Sequence, residues 1–490
     1  MASERSNPAG NSYQSNKPWK PLARLAKFFV FNRVDLQGKL CSCGVIDMEH
    51  PDFIEIDRDT QELKIASTFG TPVFVYDAAL IEENFRNLSA LCCNQAEIFF
   101  SLKANPNVSV AAQLRLLGAG AEVSSLTELC TALAAGYAPM NIIFVGPLKT
   151  DAELRAAIDA KIAAIVVDSF EELSRISRLS RELDYHIPVL LRINPNFKMD
   201  EAPIKMSGVA TQFGFSEDAI FERGAALRLP GIKILGIHVY NGSRVLSATA
   251  LASNIERIIA LAERISDELD IDLQIVDVGG GWGVPYFASE LPLDKASLTG
   301  LLKPIFESFR QRHPQCRLIT ESGRFLVATS GTLLTRVHAI KDSHGERFAV
   351  IDAGYNCFMA AAGMGSVIQR NFPVRRIDTG TASPPPEVDA SSVHLAGPLC
   401  TPGDIVARRL RLDALHEGGL IAIGCAGAYG PSASPVGFIG HGHPAEVLII
   451  RQRAYLVRQR DTSADLTRLQ RNVFAHGIPS DGQFQRAACN

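Results

Sequence analysis

Ala164-Ile-Val-Val-Asp168, then Phe170-Glu-Glu-Leu-Ser-Arg-Ile-Ser-Arg-Leu-Ser-Arg-Glu-Leu183, then Val189-Leu-Leu-Arg-Ile-Asn194 place a short apolar strand, a helical stretch and a second apolar strand in succession. Working outward, the same unit recurs on both sides. Strands are expected at Glu97–Lys103, Ala121–Ser124, Ile142–Gly146, Ala164–Asp168, Val189–Asn194, Ile234–Tyr240, Gln274–Val278 and Leu318–Glu321. Helices such as Asp151–Ala160 and Asn254–Leu269 lie between them, the latter with Ile255, Ile258, Ala262, Ile265 and Leu269 on one face. Eight strands alternating with helices across residues 71–328 fit a (β/α)8 barrel better than an open doubly wound sheet.

Past residue 328 the helical period fades. Thr332–Lys341, Arg347–Ala353, Val393–Leu399, Gly419–Gly427 and Glu446–Val457 read as strands between Gly/Pro-rich turns, so residues 329–490 form an all-β domain. The fold class is therefore α/β plus all-β. The loop Thr379–Glu387, with three consecutive prolines, is expected as a surface excursion. Residues 46–70, with Phe53–Asp57 and Leu63–Ala66, suggest a hairpin joining that domain, and residues 1–45 a disordered or loosely attached lead.

A chain of 490 residues is long enough for two cores, and 47% hydrophobic with 21% charged residues is a globular balance. The net charge of −3 gives no reason to expect nucleic acid or an anionic membrane as partner. The longest apolar runs, such as Ile162–Val167, are too short to span a bilayer, and the polar start lacks a secretory apolar core. A cytoplasmic protein is expected. Its ten cysteines lack regular spacings, and Cys41-Ser-Cys43 and Cys92-Cys93 have no second ligand pair, so no metal site is expected.

In such a barrel, functional side chains gather where strands end. The first strand ends in Lys103, the sixth in His238-Val-Tyr240-Asn-Gly242-Ser243, the seventh in Gly279-Gly280-Gly281-Trp-Gly283, and the eighth in Glu321-Ser-Gly323-Arg324. A lysine at the end of an apolar strand often only snorkels. It is also where a barrel places a Schiff-base lysine. Three successive glycines allow close backbone approach to a phosphate, with Arg324 and Ser243 as further donors, whereas a plain turn needs one glycine. The run breaks the dinucleotide spacing at Val284. Glu321 is either Arg324's surface partner or the carboxylate that keeps a pyridine nitrogen protonated. An aldehyde-binding lysine, a phosphate cradle and a pyridine carboxylate together are what pyridoxal 5'-phosphate requires.

Seven ordered segments carry a family resemblance: Thr71–Asp77, Leu102–Asn105, Asp277–Gly281, Glu321–Arg324, Asp352-Ala-Gly354, Gly397-Pro-Leu-Cys400 and Gly427-Ala-Tyr429-Gly. With them the chain resembles the fold-type III pyridoxal-phosphate decarboxylases, the diaminopimelate and ornithine decarboxylase group, over residues 50–470. The resemblance implies that Lys103 holds the cofactor and that Glu321 faces the pyridine nitrogen. It also implies that Ser243, Gly280, Gly281, Gly323, Arg324 and Tyr429 bind the cofactor, chiefly its phosphate. It further implies a head-to-tail homodimer with shared sites, in which Cys400 enters from the partner subunit and returns a proton to Cα.

Three departures bear on the substrate. Tyr240 stands where the family has a ring-stacking histidine. Thr401-Pro402 follows Cys400 where an acidic residue would receive a distal amine, with Asp404 displaced. The stretch Tyr355–Ala361 has no arginine for a distal carboxylate. Lys205–Gly208, Cys400–Pro402 and Ser434–His441 instead resemble a side branch acting on conjugated amino acids, such as a citryl-diaminopropionate siderophore intermediate or an aminoacyl group on a carrier protein. The readings set against this are diaminopimelate decarboxylase, an amino-acid racemase, which Glu321 and Cys400 oppose, and a non-catalytic regulatory homologue.

Overall fold

The computed structural model describes residues 52–364, 369–377, 392–412 and 415–473. All eight expected barrel strands are present: Glu97–Ser101, Gly120–Val123, Ile142–Phe144, Ala164–Val167, Ile187–Asn194, Ile232–His238, Ile275–Asp277 and Arg317–Ser322. Each pairs in parallel with its neighbours. The eighth lies against the first and the sixth against the fifth, so the sheet closes. Alternate strand positions fill the barrel with Phe99, Ile143, Val166, Leu190, Ile275 and Ile319. The intervening positions, such as Phe100, Ala121, Ile165 and Leu191, join the larger core beneath the helices. This two-sided burial is why the strands read as unbroken apolar runs.

Short connections at the C-terminal rim begin the helices on capping side chains. Ser125 and Ser169 accept from the backbone N–H of Glu128 and Glu172, and Thr150 forms a reciprocal capping box with Glu153. Each cap satisfies donors that the first helical turn would otherwise leave open.

Among the described residues, the second domain is a ten-stranded, mostly antiparallel sheet. Gly331–Ser343, Glu346–Ile351, Val393–Ala396 and Leu420–Ile423 match the expected strands closely. The segment expected as one strand over Glu446–Val457 is a hairpin, Ala445–Ile450 against Arg453–Arg458. Strands Val374–Ile377 and Ile405–Leu410 were not expected.

Two corrections concern the N-terminal side. Phe53–Glu55 does join the β-sheet, antiparallel to Arg453–Tyr455. Its expected hairpin partner is instead a helix, Gln61–Phe69, whose Ile65, Ala66 and Phe69 pack on Val73, Leu334 and Val447. Burying a side chain such as Ile65 or Phe69 stabilises by about 1.5–3 kcal/mol, and the two with Ala66 on one face outweigh the strand-like look of Leu63–Ala66. The strand Val73–Asp77 also belongs to the β-domain, between Gly331–Leu334 and Ala445–Ile449. The barrel therefore starts at Ala78 rather than at residue 71. The expected lead at 1–45 and the proline loop at 379–387 lie outside the described residues.

Candidate active site

The first strand ends in a single 3-10 turn, Leu102–Ala104, which lifts Lys103 over the barrel rim. Its Nζ lies 2.8 Å from both carboxylate oxygens of Glu122, a buried residue of the second strand. Ser124 Oγ donates to Glu122 Oε1 at 3.1 Å. Burial opposes the Lys103 charge, but Glu122 and then Glu321 override it and hold the ammonium above the ordinary lysine range. The side chain is still 38% accessible, because it opens into a cleft continuous with solvent.

Ser243, Gly280, Gly281, Glu321, Gly323, Arg324, Tyr240 and Tyr429 line that same cleft. The fold thus gathers every cofactor residue expected from the sequence. Tyr240 presents its ring centre 5.9 Å from Lys103 Nζ. Cys400 is exposed and outside the cleft of its own chain.

The glycine run is shaped by its neighbours. Asp277 Oδ1 accepts from Gly279 N at 2.8 Å, and Trp282 Nε1 donates at 2.9 Å to Thr320 Oγ1, which itself donates to Gly279 O. A Cβ on Gly280 would stand 2.5 Å from the Glu321 carbonyl oxygen, and Gly281 has a φ of +112°. Only glycine brings the backbone this close.

Beneath the cleft lies a buried acid cluster that sequence reasoning resolved only in part. His238 Nε2 is 3.1 Å from Glu321 Oε1, and the two ligand atoms lie with one from Asp277 within 4.8 Å of one another. Burial, then the Glu321 charge, pushes Asp277 well above the carboxylate range. Burial acts likewise on Glu321, but His238 and Lys103 hold that carboxyl below its ordinary range. The two buried carboxyls are thus pushed in opposite directions, Asp277 upward and Glu321 downward. No metal ligand set was expected here. Two of the three groups, His238 and Glu321, are hydrogen-bonded directly to each other.

The residues fit pyridoxal phosphate on the structure's own terms. Arg324 Nε and Ser322 Oγ line the cleft, are buried, and have no hydrogen-bond partner. Unpartnered donors at such depth are costly unless an anion completes them. Arg324 Nη1 donates at 2.8 Å to Tyr286 OH, a buried contact that no sequence spacing suggested. Glu122, too, was missed: it looks like one more strand residue until the barrel closes beside Lys103.

A family model described as the pyridoxal binding domain of pyridoxal-dependent decarboxylases matches residues 78–328, the barrel as drawn above. The chain belongs to the pyridoxal-dependent decarboxylases. The L-glutamyl-(BtrI acyl-carrier protein) decarboxylase of Niallia circulans is 35% identical over 83% of this chain and 95% of that protein. The diaminopimelate decarboxylase of Pseudomonas fluorescens is 34% identical over 82% of this chain and 93% of its own length. The crystal structure of the Helicobacter pylori diaminopimelate decarboxylase complexed with L-lysine is 27% identical, covers 85% of this chain and all of its own, and superposes with a TM-score of 0.74. This decarboxylase is therefore a PLP-dependent carboxy-lyase on a closed parallel barrel with a separate sheet domain. None of its described helices is long and apolar enough to cross a membrane.

Proposed function

We propose that this enzyme removes the α-carboxylate of a conjugated amino acid, an aminoacyl group carried on a protein arm being the favoured form. The observation that carries the substrate reading is the fate of Asp404. Its carboxylate accepts from the backbone N–H groups of Tyr355 and Leu399, both at 2.8 Å, and the residue is buried. It ties the Asp352-Ala-Gly354 turn to the Gly397–Cys400 turn and is not free to meet a substrate amine. With Thr401-Pro402 beside Cys400 and no arginine in Tyr355–Ala361, these segments offer neither a distal ammonium nor a distal carboxylate its partner. An unmet charge at such a site costs enough to exclude a substrate. The carrier-dependent relative from Niallia circulans supports the same choice.

In this reading Lys103 holds the cofactor through its aldehyde carbon. Glu321, hydrogen-bonded to His238, would face the ring nitrogen and favour its protonated form, and Tyr240 would contact the ring. Ser243, Gly280, Gly281, Gly323, Arg324 and Tyr429 take the phosphate side. Bound there, the cofactor supplies an electron sink for the pair left at Cα when carbon dioxide departs. Cys400 of the partner subunit then returns the proton, which makes a cytoplasmic homodimer with shared sites the working form. Mixing Lys103→Ala and Cys400→Ala subunits tests that sharing. Two impaired parents should recover normal turnover and protonation at roughly a quarter of the sites, whereas sites built within one chain recover none.

The substrate test is carbon dioxide release by the loaded enzyme from L-glutamyl-acyl-carrier protein and, separately, from meso-diaminopimelate. A preference of about a hundredfold or more in kcat/KM for the carrier-linked group is expected, roughly the 2.7 kcal/mol of one unmet charge. Faster turnover of diaminopimelate, the activity named for the Pseudomonas fluorescens relative, would replace this reading. A citryl-diaminopropionate siderophore intermediate is the further conjugate to assay.

A further inference from the structure

Beside the cleft, three guanidinium groups gather around the neighbouring rings of Tyr286 and Phe287. Arg324 meets Tyr286 OH from the cleft side. The Arg244 guanidinium carbon lies 5.4 Å from the Tyr286 ring centre and 5.7 Å from that of Phe287. Arg370, from the loop before Val374–Ile377, stacks on Phe287 at 3.9 Å. One carboxylate answers the outer two. Glu290 Oε1 stands 3.3 Å from Arg244 and 3.2 Å from Arg370, and its other oxygen accepts from Tyr286 N at 2.9 Å.

The outer pair is therefore short of one negative charge among the described residues, and Arg244 Nε is buried without a hydrogen-bond partner. Arg244 is also fixed in place. It follows Ser243 of the cofactor cleft with a φ of +67°, and Val245 after it bonds to Gly281 O and accepts from Gly283 N, both at 2.9 Å. Tyr286 and Phe287 lie beside the guanidinium and Glu290 takes Nη2, which leaves Nε as the donor that an oxyanion would complete. Burial and the Arg324 charge both act against the Arg244 cation, so a bound anion there would relieve it.

We propose that Arg244, seconded by Arg370, receives an oxyanion on the far part of the substrate at the mouth of the cleft and so selects which amino acids are processed. The inference rests on the decarboxylase reading, but its site differs from the cofactor site. It places a cation on the sixth-strand loop where Tyr355–Ala361 offers none. The oxyanion consistent with the carrier-linked reading is the phosphate of a carrier's arm; a distal carboxylate asks for the same fork of donors, and its binding there would instead supply the partner that Tyr355–Ala361 lacks and weaken the case against diaminopimelate.

The test titrates the PLP-loaded protein with glutarate and with pantetheine 4'-phosphate by calorimetry, in wild type, Arg244→Gln, Arg244→Lys and Arg370→Gln. At least one probe should bind the wild type, and which one binds identifies the source. Arg244→Gln should weaken it about ten- to a hundredfold, Arg370→Gln less, and Arg244→Lys should restore part of the loss. Cofactor affinity, read from absorbance, should stay within about twofold of wild type. Binding of neither probe, or binding indifferent to Arg244→Gln, overturns the proposal. A cofactor affinity that falls with the probe also overturns it, by assigning Arg244 to the cofactor phosphate. Borohydride labelling of the same samples separates the two readings: anion binding that depends on Arg244 without a label on Lys103 leaves this site standing and removes the decarboxylase mechanism.

Discussion

Replacing Glu122 by glutamine removes a negative charge 2.8 Å from the Lys103 ammonium and leaves the side-chain volume almost unchanged. At that separation the attraction is about 6 kcal/mol for an effective dielectric of ~20 and about 1.5 kcal/mol in water. Lys103 is 38% accessible through the cleft, so screening places the interaction near the lower end, about 1.5–3 kcal/mol. Burial already disfavours the Lys103 charge, and Glu122 is the main group opposing it. Its loss therefore lowers the lysine pKa and multiplies the free amine about ten- to a hundredfold at a given pH. The rate at which cofactor-free protein captures pyridoxal phosphate, followed by stopped-flow absorbance, reports this directly, since only the unprotonated amine attacks the aldehyde.

Capture at pH 7.5 should be about ten- to a hundredfold faster in Glu122→Gln, with its pH profile displaced downward. The same change should cost about 1.5–3 kcal/mol of unfolding free energy. A lysine pKa raised by folding stabilises fully below the unfolded value near 10.4 and ceases to do so only as pH climbs through the folded value. The deficit should then be constant from about pH 6 to 9. An unchanged capture rate and profile would refute the assignment of Glu122 as the group that holds Lys103 charged.

Three further outcomes are expected. Glu128, whose carboxyl burial pushes up to about 7, binds its proton more tightly folded than unfolded. Its contribution to stability is complete below about pH 4.5 and lost as pH rises through 7, so Glu128→Gln should match wild type at pH 5 and exceed it at pH 8 by about 1–2 kcal/mol in urea unfolding. Gly280→Ala forces a Cβ to within 2.5 Å of the Glu321 carbonyl oxygen; it should cost about 1–3 kcal/mol and weaken cofactor binding at least tenfold, as equilibrium absorbance titration would show. Cys400→Ala should retain the cofactor spectrum while turnover falls about a hundredfold or more, or exchange of solvent deuterium into Cα of the product is misdirected; unaltered kinetics and product would remove the thiol from the reaction.

The barrel was legible because its strands are buried on both faces, and runs such as Ala164–Val167 can be little else between two helices. Leu63–Ala66 misled because a short mixed run lacks the length that separates strand from helix, and only the core formed by Ile65, Ala66 and Phe69 decides it. Val73–Asp77 looks like a barrel strand and pairs with the other sheet; apolar pattern carries burial but not the identity of the partner. At the site, Lys103, the glycine run, Glu321 and Arg324 announced themselves by sitting at strand ends. Glu122, Tyr286 and Asp277 did not, because their importance lies in contacts across the barrel mouth. His238 was visible but without a role until its 3.1 Å approach to Glu321 supplied one.

The central claim, that Lys103 carries the cofactor in a working decarboxylase, is tested most directly by reducing the PLP-loaded enzyme with borohydride and mapping the labelled peptide. The visible-edge absorbance should disappear on reduction and the pyridoxyl group should be found on Lys103, with Lys103→Ala unlabelled. A label on another lysine, or a protein that takes up no pyridoxal phosphate at all, would contradict the account.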